Sequence, residues 1–267
     1  MIGRASLVSV LVALVLAMAG PTAAQESGFT LESVDTTGHP EVAVTVSVEN
    51  QLLGDATPRF TVVEDGRSRR VTVESTASSD LKVVLLLDVS GSMRGAPLEA
   101  AKAAAARFVT EMPAGVQIGI ISFGNAPSLA TGFTDDRQTL LTAIDLLSAR
   151  GETALYDGLA AAASLLSNES SEGRTVVLLS DGGDTVSSSS LDEAVVTVEE
   201  LGATLFAVEL ESPENDSDAL LALATAAGGT VTSADDPAAL GLLFSEIASE
   251  LLSSYRLVFT SEAFDLA

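Results

Sequence analysis

The chain contains no cysteine, no tryptophan and a single histidine, and only 4% of its 267 residues are aromatic. Without cysteine there is no disulfide framework, no thiolate nucleophile, no thiolate-bound zinc and no cysteine to carry a lipid. With His39 alone, neither a Ser-His-Asp triad nor a multi-histidine zinc centre can be assembled. His39 precedes Pro40 and reads as an exposed turn residue. Positive charge is scarce as well: 13 Lys and Arg stand against 37 Asp and Glu, a net charge of −24. Such a chain repels a nucleic-acid backbone or an anionic membrane surface and suits cations or basic surfaces. A solvated acidic face that maintains solubility outside a cell accounts for the same charge. Beyond Gly20 every apolar run is a handful of residues, far below the roughly 20 that span a bilayer.

What is present begins with an export pattern. Arg4 supplies a positive start, Ala5 to Ala19 is apolar apart from Ser6 and Ser9, and Gly20-Pro21-Thr22-Ala23-Ala24 offers small residues for cleavage. This predicts a signal peptide over residues 1–24 and a secreted, periplasmic or cell-surface protein. Left uncleaved, the same segment would be its one attachment to a membrane.

The hydrophobic content, 47%, is mostly Val, Leu, Ile and Ala, which suits a parallel sheet wrapped in Ala-rich helices. Residues 25–78 alternate instead, as in Val42, Val44, Val46 and Val48, with Gly54-Asp55 and Asp65-Gly66 as turns; they predict a small antiparallel β unit of about four strands. The polar stretch Thr76 to Asp80 marks a boundary. Residues 79–254 then alternate strand with helix, the pattern of a doubly wound α/β domain. Strands are expected at Lys82–Leu87, Val116–Ser122, Ser128–Phe133, Thr175–Ser180, Thr204–Glu209 and Thr230–Thr232, with helices between them. Two helices carry start signals: Thr134 before Asp135-Asp136, and the capping box Ser190 with Glu193. The acidic loop Glu211 to Ser217 lacks the spacing of a calcium loop and reads as solvated. In residues 255–267, Tyr255–Thr260 alternates like a strand and is expected to return to the N-terminal β unit.

The chemistry lies at strand ends. The first α/β strand is a buried-type apolar run ending in Asp88-Val-Ser90-Gly-Ser92, at the carboxyl edge where open α/β sheets bind ligands. A second run, Thr175 to Ser180, ends in Asp181-Gly-Gly183, and Gly151-Glu-Thr153 precedes an Ala-rich helix. Gly91 would let the backbone turn so that Ser90 and Ser92 converge, giving hard oxygen donors in a small volume. The plain alternative is that Asp88 caps the following helix while the serines satisfy turn backbone. Asp157 and Asp184 lie next to these positions, either orienting hydroxyls and bound water or placing charge at helix starts.

Asp88-x-Ser90-x-Ser92, then Thr153, then Asp181 resemble, in order and context, the metal-ion-dependent adhesion site of von Willebrand factor type A domains. The resemblance covers about residues 80–253. It implies a six-stranded sheet of order 3-2-1-4-5-6 with one antiparallel edge strand, so that Asp88 and Asp181 face each other across adjacent strands. It also implies one divalent cation, Mg²⁺ before Mn²⁺ or Ca²⁺, with Ser90, Ser92 and Thr153 as direct ligands and Asp88 and Asp181 acting mainly through water. A Glu or Asp carboxylate of a protein partner would complete the coordination. The expected function is therefore a non-catalytic adhesion or assembly module. The alternatives are a metal-independent scaffold in an envelope assembly and, further off, a metal-dependent hydrolase, which lacks an accompanying general acid. The β segment around Phe60 to Gly66 also resembles, more weakly, the region preceding type A domains in some bacterial exported proteins.

Overall fold

The computed structural model describes residues 10–15, 29–36, 38–48, 59–64, 67–75, 81–167, 173–212 and 216–261. The chain divides into two compact units, one formed by residues 1–77 with 249–267 and the other by residues 78–248.

The larger unit contains β7 (Lys82–Asp88), α1 (Ala96–Glu111), β8 (Gln117–Phe123), β9 (Pro127–Thr134), α2 (Arg137–Asp145), α3 (Leu155–Ser167), β10 (Arg174–Ser180), α4 (Leu191–Leu201), β11 (Thr204–Leu210), α5 (Ser217–Ala226) and β12 (Thr230–Ala234). A 3₁₀ turn at Pro237–Ala239 leads into α6 (Leu240–Ser253). The sheet order is β12-β11-β10-β7-β8-β9. All pairs are parallel except β8 with β9, so the expected 3-2-1-4-5-6 order with one antiparallel edge is present. In β7, β8, β10 and β11 every residue after the first is buried, which is why they read as continuous apolar runs: helices cover both faces. Val84 and Leu86 of β7 face a core completed by α3, α4 and α5. Elsewhere Phe108 of α1 meets Phe244 of α6 edge-on, with centroids 6.2 Å apart. Each such buried Leu or Phe contributes roughly 1.5–3 kcal/mol.

Local signals placed most helix boundaries. Ser190 and Glu193 form the reciprocal capping box of α4, and Gly202 closes that helix at φ 61°. At α2 the start differs from expectation. Asp136, not Thr134, is the cap, accepting from Gln138 N at 3.1 Å and from Thr139 Oγ1 at 2.6 Å. Thr134 is the last residue of β9 and accepts from Asp136 N instead, because the strand holds it in the sheet.

The smaller unit contains β1 (Val10–Val15), β2 (Phe29–Asp35), β3 (Glu41–Val48), β4 (Arg59–Glu64), β5 (Arg67–Arg69), β6 (Val71–Ser75) and β13 (Ser254–Thr260). They form two antiparallel sheets, β1-β4-β5 and β2-β3-β13-β6, rather than one four-stranded set. Strand β1 falls within the segment expected to be a signal peptide; the rest of residues 1–28 lies outside the described residues. The alternating valines Val42 to Val48 pack with Phe60, Val62, Leu257 and Phe259. Among the described residues no helix is long and apolar enough to cross a membrane.

Candidate functional site

Strands β7 and β10 are adjacent, with Leu87 opposite Leu179, so their next residues, Asp88 and Ser180, meet at the carboxyl edge. The Ser180 hydroxyl donates to Asp88 Oδ2 at 2.6 Å, and the Ser90 backbone N–H donates to Asp88 Oδ1 at 2.7 Å. Asp88 therefore does not cap α1, whose N-cap, Gly95, makes no side-chain hydrogen bond. Ser92 Oγ donates to Asp181 Oδ1 at 2.8 Å and lies 2.9 Å from Ser90 Oγ. Because Ser92 has one proton and gives it to Asp181, Ser90 is the donor to Ser92. The result is a chain of oxygens from Ser90 through Ser92 to Asp181, beside the Asp88 carboxylate.

Thr153 reaches the same edge through its loop. Gly91 N donates to Gly151 O at 2.8 Å, Arg150 N to Val89 O at 2.7 Å and Ala154 N to Gly124 O at 2.8 Å. Glycine at position 91 eases this close approach: a Cβ there would lie a tight 3.2 Å from Gly151 O. Gly151 adopts φ +84° and leaves no room for a Cβ against Asn125, whose Oδ1 accepts from Glu152 N at 2.7 Å. The Thr153 carbonyl accepts in turn from Thr185 N at 2.8 Å.

Asp157 and Asp184 organise the serine-rich loop after β10. Asp157 accepts from Ser188 N at 3.0 Å and from Ser189 N at 3.1 Å. The Ser188 N–H above all, joined by Ser189, holds its carboxyl below the usual range. Asp184 accepts from Tyr156 N at 3.2 Å, at the start of α3, and from Ser187 N at 3.1 Å. Both carboxylates thus fix the loop that begins at Asp181. Sequence reading did not single out Ser180, Asn125, Thr185 or Ser212; the last donates its hydroxyl to the Asp181 carbonyl from the loop expected to be only solvated. Ser180 was the most accessible of these, lying next to Asp181 at the end of an apolar run.

Asp88 is fully buried, Ser90, Asp181 and Thr153 are buried, and Ser92 is exposed. Burial pushes the Asp88 carboxyl up to about 6; the hydrogen bonds from Ser180 and Ser90 oppose this, and the Asp181 charge adds to it. The charged neighbour acting on Asp88 is another carboxylate, so the edge is a neutral-to-negative oxygen cluster suited to a hard cation. Among the described residues no three His, Cys, Asp or Glu side chains gather, so hydroxyls would supply much of a coordination shell.

Residues 83–183 match the family model described as von Willebrand factor type A domain. A UPF0353 protein of Mycolicibacterium gilvum is 30% identical over 142 residues, 48% of this chain and 42% of the relative. A UPF0353 protein of Mycobacterium avium is 27% identical over 141 residues, 48% of this chain and 41% of the relative. The chain thus matches less than half the length of these relatives. A von Willebrand factor type A structure from Catenulispora acidiphila superposes with a TM-score of 0.62 at 21% identity, covering 85% of this chain and 50% of that one. Proximal thread matrix protein 1 from the mussel byssus, solved with a zinc-occupied MIDAS motif, gives a TM-score of 0.60 at 18% identity, covering 70% and 49%. Residues 83–183 of the α/β unit thus match the von Willebrand factor type A model, and the unit shares its fold with the solved type A structure.

Proposed function

We propose that this is an exported, non-catalytic binding module whose α/β unit holds one divalent cation, Mg²⁺ foremost, and uses it to bind an acidic side chain of a protein partner. The observation that carries this is the meeting of Asp88, Ser90, Ser92 and Asp181 in one hydrogen-bonded oxygen cluster at the carboxyl edge of neighbouring parallel strands. Two carboxylates and several hydroxyls suit an ion that prefers about six hard oxygens. Ser90, Ser92 and Thr153 would ligate directly, Asp88 and Asp181 mainly through water, while Asp157 and Asp184 keep the Asp181 loop in register. Held mostly by neutral hydroxyls, the ion would supply a positive centre with a position open to a carboxylate. The zinc in the MIDAS motif of the mussel protein, which shares the fold, supports a divalent cation in this role. The Arg4 start, the apolar run to Ala19 and the small residues to Ala24 support export.

Calorimetric titration of Mg²⁺, Mn²⁺ and Ca²⁺ into the metal-stripped full chain tests this reading, with Asp88→Ala as control. Saturable binding that the variant loses is expected. A metal-independent scaffold is the second reading, favoured by the hydrogen bonds that Ser90 and Ser180 already give Asp88. Absence of binding in the native chain would establish that scaffold reading over the cation one.

A further inference from the structure

The α/β unit is poor in positive charge and distributes it unevenly. Of the chain's 13 Lys and Arg, seven lie in residues 78–248, and none occurs from Thr175 to Tyr255. That stretch holds Asp181, Asp184, Glu209 and Glu211. Five of the seven cations are engaged away from the site. Lys82 stands 5.3 Å over the Phe133 ring, Arg174 donates to Leu201 O at 3.3 Å, and Lys102 donates to Asp145 O at 2.9 Å. Arg107 pairs with Glu111 at 2.7 Å, and Arg137 donates to the Met112 carbonyl.

The remaining two, Arg94 and Arg150, are exposed and lie on the site's own loops. Arg94 follows Ser92 by two residues, its backbone N–H donating to Gly91 O at 3.3 Å. Arg150 precedes Thr153 by three, its backbone N–H donating to Val89 O at 2.7 Å. Among the described residues neither makes an ion pair, although acids outnumber bases almost threefold in the chain. A carboxylate approaching a chain of net charge −24 meets repulsion, most of it from the cation-free half around β10 and β11. Two exposed arginines on the loops that carry Ser92 and Thr153 would offset this locally and offer the fork geometry that carboxylates match.

We propose that Arg94 and Arg150 form the second part of the recognition surface, so that the partner presents a cluster of carboxylates on an extended acidic segment rather than one isolated Glu or Asp. One carboxylate serves the cation and its neighbours serve the guanidiniums, with the segment approaching over the loop after β7 and the loop between α2 and α3. This rests on the cation reading above.

The test uses the Mg²⁺-loaded full chain and two fluorescein-labelled probes of equal length, hexaglutamate and a Gly/Ser peptide with a single Glu, read by anisotropy. Hexaglutamate should bind the native chain more tightly than the single-Glu peptide. The Arg94→Gln/Arg150→Gln double variant should lose about tenfold in hexaglutamate affinity at low salt and nothing for the single-Glu peptide, as expected for two solvent-exposed charge contacts. The difference should shrink in 0.5 M NaCl, where the Debye length falls to about 4 Å. Mg²⁺ affinity should not fall, since removing positive charge cannot weaken a cation site electrostatically, and thermal melts should match the native chain. Equal binding of the two probes by the native chain, or unchanged hexaglutamate binding by the variant, overturns the arginine proposal and leaves the cation reading standing. A native chain that takes up no Mg²⁺ overturns both.

Discussion

Glu64 of the smaller unit and Asp88 of the larger are both buried carboxylates, and the two are treated in opposite ways. In the smaller unit Glu64 is buried, but Arg69 meets its Oε2 at 2.9 Å and the Ser261 hydroxyl donates to its Oε1. In the larger unit Asp88 is buried among Ser90, Ser180 and the like-charged Asp181. The first acid is neutralised by its own chain and serves the fold. The second is hydrogen-bonded but not neutralised, and burial raises its pKa with no cation among the described residues shown to oppose it. On the proposed cation reading, that buried carboxylate is where an external cation would act.

The largest expected effect tests the Glu64 half of this contrast. Arg69→Ala takes the guanidinium away from buried Glu64, and should destabilise the smaller unit by about 3–5 kcal/mol in urea melts. Mg²⁺ should not restore the loss. If it does, the two acids are not as different as their surroundings indicate.

Asp88→Asn should do the reverse in metal-free protein. The Asp88 pKa rises from 3.8 unfolded to about 6 folded. As pH climbs from about 4 to about 6, the unfolded chain gives up this proton first, so the residue's contribution is fully present below pH 4 and lost by pH 6. Two units correspond to at most about 3 kcal/mol of lost stability. The neutral amide avoids this loss, so at pH 7 the variant should be more stable than native protein by about 1–3 kcal/mol without metal, yet gain nothing from Mg²⁺. Equal melts in the absence of metal would mean that Asp88 carries no burial penalty.

The same proton competes with a cation, so Mg²⁺ affinity should weaken as pH is lowered through about 6. Ser180→Ala removes a hydrogen bond that favours the ionised form. It should push the midpoint of that pH dependence upward and weaken Mg²⁺ at pH 6 by about threefold to tenfold, given roughly 1 kcal/mol for such a bond. An unmoved midpoint in calorimetry across pH 5–8 would separate Ser180 from the site. The smallest effect is a control: Ser190→Ala breaks the capping box of α4 and should cost about 1 kcal/mol in melts, with Mg²⁺ affinity unchanged.

Much of the α/β unit was legible in the sequence. The runs Lys82–Asp88 and Arg174–Ser180 are unbroken apolar stretches of Val and Leu between polar ends, so their burial on both sides followed from composition. The Ser190 box was visible because its partner lies three residues away. The α2 start was misread because Thr134 and Asp136 are both plausible caps, and only the extent of β9 decides between them. The roles of Asp157 and Asp184 stayed open for a related reason: their partners, Ser187 to Ser189, are serines in a row, and nothing local distinguishes which serine meets which carboxylate.

By itself, the sequence determined which residues carry oxygen donors, which segments form strands and helices, and how little cationic charge the chain can set against its acids. These follow from side-chain chemistry and from periods of two or about four residues, which act over short distances along the chain. Only the tertiary structure decided that Ser180 lies on Asp88, 92 positions away, that Ser92 donates to Asp181, 89 positions away, and that Glu64 has an arginine where Asp88 has none. Those contacts depend on strand register and loop closure, which parallel pairing across intervening helices fixes and local sequence does not.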